Sequence, residues 1–286
     1  MALLILSDDF DRTLTEGWGT PPVGGAYALG GDTTRFSVSG GAGHIAAAPA
    51  RSETAYVNSI SRTATRVRVS FSSSTGYAGG IQSVTVGGRV TAGGIYQARA
   101  RIEDGLLRLY TLRDEATLAA STTITHTYTP GQIIWLEVEV VGVSPTTVRA
   151  RMWLDGQPEP AWQQTATDST AGMQVAGAVT LRGSVGGTPT TLPTISLDSV
   201  RGWDPSVIPL DPPVITLAVT HPTVAGGTNG AIAASWGAVS GATGYDVALV
   251  SGTGEPSAPD ETITGLTKTY SGLGSGVWTV AVRARA

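Results

Sequence analysis

Apolar and polar residues alternate along most of this chain, and no stretch longer than a turn or two keeps them at helical spacing. Val67, Val69 and Phe71 alternate with Arg66, Arg68 and Ser70, which predicts a strand with one buried and one solvated face. Ala98, Ala100 and Ile102 can face Leu107 and Leu109 across Asp104-Gly105, a dipeptide suited to a type I′ turn. The expected hairpin carries Gln97, Arg99, Arg101, Arg108 and Tyr110 on its outer surface. A second hairpin is expected from 133–141 and 148–154. Its inner face holds Ile134, Leu136, Val138 and Val140 with Val148, Ala150, Met152 and Leu154. The register that aligns these sets places Trp135 opposite Trp153, Glu137 opposite Arg151 and Glu139 opposite Arg149. Such opposite-charge and aromatic pairs contribute roughly 0.2–1 kcal/mol each, which favours that register.

With 286 residues the chain can form two domains with separate cores. Four prolines between Pro205 and Pro213 interrupt sheet and helix alike and mark the boundary. The expected division is a large sandwich over 1–204, a proline-rich linker over 205–213 and a small sandwich over 214–286. A formal net charge of -4 offers no electrostatic footprint for nucleic acid. Cysteine is absent, which removes disulfides and thiolate metal sites. Lys268 is the only lysine beside many arginines, a bias of the kind found in GC-rich, actinobacterial-type coding. The apolar start Met1-Ala2-Leu3-Leu4-Ile5-Leu6 has no basic residues before it and runs into Ser7-Asp8-Asp9, so a first strand is expected rather than a signal peptide or membrane span. The chain is thus expected to be made in the cytoplasm.

Asp8-Asp9-Phe10-Asp11-Arg12, Gly17-Trp18-Gly19, the 131–138 and 149–156 segments and Ile195-Ser196-Leu197-Asp198-Ser199-Val200 carry a resemblance to the concanavalin A-like lectin/glucanase (laminin-G-like) jelly roll, over about two thirds of the chain. From Val214 onward the chain resembles a fibronectin type III domain, with Ile232, Ala234 and Trp236 in its second strand and Trp278 where a tyrosine is usual. Trp236 and Trp278 are both expected in its core. The last strand of that family has no counterpart before Ala286, which points to a fragment of a longer protein, the favoured reading, or to an open edge completed by a partner strand. The fold class expected is therefore all-β: an antiparallel jelly-roll sandwich followed by a smaller fibronectin-like one.

The glucanases of this fold carry a Glu-x-Asp-x-x-Glu strand motif, which this chain lacks. Glu137-Val138-Glu139 has an arginine-pairing explanation, and His44, His126 and His221 are isolated in sequence, so no enzymatic activity is expected. In the resembled fold the first and last strands lie side by side, which would bring Asp8, Asp9 or Asp11 near Asp198 as a candidate calcium site; no other cofactor is expected. Trp135 and Trp153 beside Arg149 and Arg151 offer an aromatic platform and hydroxyl-binding donors for a glycan. Arg99, Arg101, Arg108 and Tyr110 extend that platform if the two hairpins share a sheet. The competing reading is that these side chains only cover the sheet or contact a subunit.

The combination resembles minor tail proteins of actinobacterial phages, which leave the host by lysis and need no secretion signal. The expected role is a structural virion component in the tail or tail tip, contacting other tail proteins or further copies of itself, and adhering to host cell-wall glycan. The alternative is the carbohydrate-binding accessory region of a secreted polysaccharide-active protein, and a glycosidase with altered acids is a distant third.

Overall fold

The alternating segments pair antiparallel, in the registers that their apolar faces demand. The computed structural model describes residues 2–77, 80–187, 189–206, 215–220, 227–239, 242–253 and 259–285. His221, Gly241 and residues 207–213 of the proline-rich segment lie outside them. The chain divides into two compact units, Met1–Ile208 and Pro209–Ala286.

The larger unit is a jelly-roll sandwich of two eight-stranded sheets. The first runs in the order Gln164–Asp168, Thr146–Leu154, Ile134–Val141, Thr65–Ser73, Thr194–Asp204, Ala42–Ala46 and Phe36–Ser39, with Leu3–Asp8 also paired to Thr194–Asp204. The second runs Ala116–Thr117, Leu106–Arg113, Gly94–Glu103, Gln82–Thr91, Gly177–Val185, Arg51–Arg62 and Ala28–Gly30, with Thr122–Thr127 paired to Leu106–Arg113. Val67, Val69, Phe71, Leu136, Val138 and Met152 from the first sheet meet Val84, Val86, Ala98, Ala100, Leu107 and Leu109 from the second in one buried core. Burying one such side chain fully stabilises by about 1.5–3 kcal/mol, more than any cross-strand surface pair, so the inward set decides the register.

The outward pairs then fall where they must. Trp135 faces Trp153, Glu137 faces Arg151 and Glu139 faces Arg149, as the pattern predicts. In the other hairpin Ala100 faces Leu109 and Ile102 faces Leu107. Asp104 and Gly105 have φ of 53° and 76°, the positive pair that a type I′ turn requires.

The Asp8–Arg12 and Gly17–Gly19 segments form a clasp. Asp8 is fully buried; it accepts from Arg12 Nη1 and Nη2 at 2.8 Å and from the Phe10 backbone N–H at 2.9 Å. Arg12 Nε donates onward to the Trp18 carbonyl at 2.7 Å. Trp18, fully buried, meets Phe10, Tyr27 and Phe36 edge-on with centroids 5.2–5.4 Å apart, and its Nε1 donates to the His44 carbonyl at 3.1 Å.

The smaller unit has two three-stranded sheets: Ile215–Thr220, Gly230–Trp236 and Thr267–Leu273 in one, and Glu261–Ile263, Gly244–Ser251 and Trp278–Arg285 in the other. Ala234, Trp236, Tyr245 and Val247 form its buried cluster, the two rings 5.6 Å apart. Trp278 corrects an expectation. It opens its strand opposite Ser251, is only half-buried, donates from Nε1 to the Gly274 carbonyl at 3.2 Å, and stays outside that cluster. Its place at the strand's end, beyond Val280, Val282 and Ala284, leaves it covering a turn instead of the interior. Among the described residues no helix is long and apolar enough to cross a membrane.

Candidate functional site

The two arginine-bearing hairpins do not share a sheet. The 134–154 hairpin belongs to the first sheet and the 94–113 hairpin to the second, because the chain crosses the sandwich between Ser73 and Gln82 and again between Thr127 and Ile134. Arg99, Arg101, Arg108 and Tyr110 therefore lie on the outer face opposite to Trp135, Trp153, Arg149 and Arg151, and the single extended platform expected from the sequence does not form.

On the first sheet the outer face is a lattice of charges. Glu137 has no exposed surface; it accepts from Arg68 Nη2 at 2.9 Å and from Arg151 Nε at 2.7 Å. Glu139, 1% exposed, accepts from Arg66 Nε at 2.7 Å and from Arg149. Glu159 closes the layer by pairing with Arg68 at 2.8 Å and with Arg151. Trp162 lies over Arg151 and Arg149, 4.4 and 5.0 Å from their guanidinium carbons. Trp135 and Trp153 stack with centroids 6.0 Å apart and planes 13° from parallel, and Trp135 Nε1 donates to Asp155 at 2.8 Å. The donors of Arg151 are thus engaged inside the layer, whereas Arg66 and Arg68 border a depression of about 220 Å³ together with Glu137, Ala2 and Trp203. Pattern reading found the Glu–Arg rungs but missed Glu159 and Trp162, which arrive on the connection after the hairpin rather than on its strands.

The second sheet presents an open face. Two successive rungs cross its centre: Arg182, Thr85, Arg99 and Tyr110 on one, Ser184, Ser83, Arg101 and Arg108 on the next. Side chains of one face on adjacent strands stand about 5 Å apart, so these eight form one surface. A depression of about 260 Å³ opens there, bordered by Arg51, Arg99, Arg101, Arg182 and Glu115 around Ser83 and Ser184. Arg101 lies over the Tyr110 ring at 4.8 Å. Glu115 projects from the turn after Leu106–Arg113 and accepts from Arg99 Nη1 and Nη2, both at 2.7 Å, and from Arg182 Nη2 at 3.1 Å. Those bonds, Arg99's above all, pull its carboxyl down to about 2. Arg51, Arg182, Ser83, Ser184 and Glu115 were not legible as site residues. They come from four segments, and only the sheet order makes them neighbours.

The calcium expectation meets a different arrangement. Leu3–Asp8 does pair with Thr194–Asp204, which brings the acids to one edge. Asp8, however, is bound by Arg12, and Asp9 by Arg201 Nη2 at 2.7 and 2.6 Å. Asp11 is exposed, and the Asp198 carboxyl is pushed up by burial while His44 pulls it the other way. Among the described residues no three His, Cys, Asp or Glu side chains gather as a metal site. His44 contacts Ser196 Oγ at 2.9 Å and Ser39 Oγ at 3.0 Å, and His126 contacts Gln132 Oε1 at 2.8 Å.

No family model and no curated protein matches the sequence. Among solved structures, the chain is similar to one described as endo-acting O-glycanases of human gut microbiota that initiate mucin breakdown, at TM-score 0.47 and 12% identity over 70% of this chain and 99% of that one. It is similar to a beta-1,3-glucanase from Mycobacterium marinum, at TM-score 0.46 and 12% identity over 70% and 98%. It is also similar to the CBM2 module of an evolved Dit from a Lactobacillus casei phage, at TM-score 0.41 and 11% identity over 71% and 96%. At such scores and identities these likenesses carry no argument about activity or ligand.

Proposed function

We propose that the larger domain is a non-catalytic glycan-recognition module and that its site is the depression on the second sheet. The observation that carries this reading is the pair of rungs that place arginine forks and serine hydroxyls around one open hollow, with Tyr110 on the next strand beside Arg99 and under Arg101. Hydroxyl-rich ligands are held by such donors at the edge of an aromatic ring. Hydrolysis of a glycoside asks for two carboxyl groups roughly 5–9 Å apart, one of them protonated near neutral pH. The depression is lined by one carboxylate, Glu115, whose low pKa keeps it ionised. That favours binding over bond cleavage.

The setting we propose is a phage tail, with the larger domain facing the host cell wall and the smaller sandwich acting as a fibronectin type III spacer. This rests on the resemblance of the module combination and on the lysine-poor composition. The test is retention of the purified chain on actinobacterial cell walls, compared with Arg101→Ala/Arg182→Ala and with Trp135→Ala, each checked for folding. Loss in the double variant alone supports the depression. Loss in Trp135→Ala alone moves the site to the first sheet, and no retention of any chain ends the glycan reading.

A further inference from the structure

A chain of net charge -4 gathers Arg51, Arg99, Arg101 and Arg182 around one hollow lined by a single carboxylate, Glu115, with Glu103 4.0 Å from Arg101 beside it. A concave positive patch on an acidic protein concentrates anions where it stands. The geometry within it is more specific than the charge. Arg99 rises from the middle of the sheet with its side chain 7% exposed, its Nε held by Thr85 Oγ1 at 3.1 Å. That bond fixes the guanidinium so that Nη1 and Nη2 project together, the fork that matches the two oxygens of a carboxylate.

The carboxylate now in that fork belongs to Glu115. It is 67% exposed and sits on the turn beside Asp114, whose φ is 52°. A buried guanidinium is thus neutralised by a surface group, whereas the first sheet buries Glu137 and Glu139 under their arginines. An exposed carboxylate on a turn can leave the fork without unpacking the sheet.

We infer that the depression recognises acidic glycans, and that Glu115 is a resident carboxylate which the ligand's own carboxylate displaces from Arg99 and Arg182. This rests on the glycan-binding reading above and adds the ligand's charge and a named competitor. Arg101 and Arg51 then face the remainder of the sugar, with Ser83 and Ser184 beneath it.

The experiment is calorimetric titration of the full chain with an oligogalacturonate, with its carboxyl-reduced counterpart and with a glycerol-phosphate oligomer. The same titrations are run on Glu115→Gln and Arg182→Ala, with folding confirmed by near-UV circular dichroism. The uronate is expected to bind about tenfold more tightly than its reduced form, because only a carboxylate can take the place of Glu115 in the fork. Glu115→Gln should widen that ratio about threefold or more by removing the competitor, Arg182→Ala should narrow it, and added salt should narrow it further. Equal binding of the acidic and reduced forms overturns the inference while glycan recognition stands. A ratio that shrinks in Glu115→Gln overturns it too, since the residue would then be a fixed strut. Binding of the phosphate oligomer alone replaces the carboxylate with a phosphodiester. Binding of none of the three, together with loss of cell-wall retention, removes both readings.

Discussion

Arg151 donates from Nε to Glu137 Oε2 at 2.7 Å across adjacent strands, and the carboxylate that receives it has no exposed surface. Arg151→Leu would leave the buried Glu137 with Arg68 as its close counterion and remove one charge-assisted hydrogen bond from it. The variant is therefore expected to destabilise the larger domain by about 1.5–3 kcal/mol in urea unfolding. The double variant Glu137→Leu/Arg151→Leu should recover a good part of that loss. A single variant within 1 kcal/mol of wild type, on the order of a surface pair, would show that the lattice is only a solvated coat.

Arg89 is a buried cation of another kind. It is fully buried and donates from Nη1 to Thr146 Oγ1 at 2.8 Å and the Met173 carbonyl at 3.2 Å, and from Nη2 to the Gly142 carbonyl at 2.9 Å and to that of Thr63. It thereby ties three connections to one strand. Arg89→Met should cost at least about 3 kcal/mol by leaving those acceptors unpaired. Arg89→Lys should restore only part of it, since one ammonium cannot span the same four oxygens. Denaturant midpoints at equal m-values decide between them.

Gly43 is small because of Phe10. A β-carbon built on Gly43 would stand 2.5 Å from the Phe10 ring, which itself abuts Trp18. Gly43→Ala is expected to displace that ring and to cost about 1–3 kcal/mol, the range for overpacked cores. Altered Trp18 fluorescence should accompany the loss, and an unchanged melting temperature would contradict it.

Asp246 gives the smaller domain a pH signature. Thr262 Oγ1 and Arg283 Nη2 donate to it at 2.7 Å and Arg285 Nη1 at 3.2 Å, and these bonds hold its carboxyl at about 2, below its ordinary 3.8. The unfolded chain binds that proton first as acid is added, so the stabilisation is present above about pH 4 and fades as the pH falls towards 2. Asp246→Asn should lower the smaller domain's melting temperature at pH 7 and converge with wild type near pH 2. A constant gap across that window would assign the loss to something other than the charge.

Alternation disclosed both hairpins and their registers, because Trp135–Trp153 and Glu137–Arg151 are decided by pairs only a few residues from the same turn. It could not disclose that Arg99 and Arg149 occupy opposite faces of the sandwich. Period two tells which side of its own sheet a residue takes, not which sheet its strand joins. The depression was hidden for that reason: Arg182 reaches Thr85 and Arg99 only through the sheet order, which depends on long-range pairing. The acidic edge was legible only in part. The strands meet as expected, but Asp8 is paired with Arg12 and Asp9 with Arg201, and a count of carboxylates does not register which cations lie beside them.

Leu3 stands opposite Asp204, at one end of a ladder that continues to Asp8 opposite Val200. The backbone therefore enters and leaves the larger domain at neighbouring points. Its whole sandwich closes on itself like a ring with a narrow gap. Such a module can be spliced into a turn of a host protein without stretching either one, or reopened elsewhere by circular permutation. Tension that draws Leu3 away from Asp204 would also part those rungs one by one, as a zipper opens, rather than shear them together.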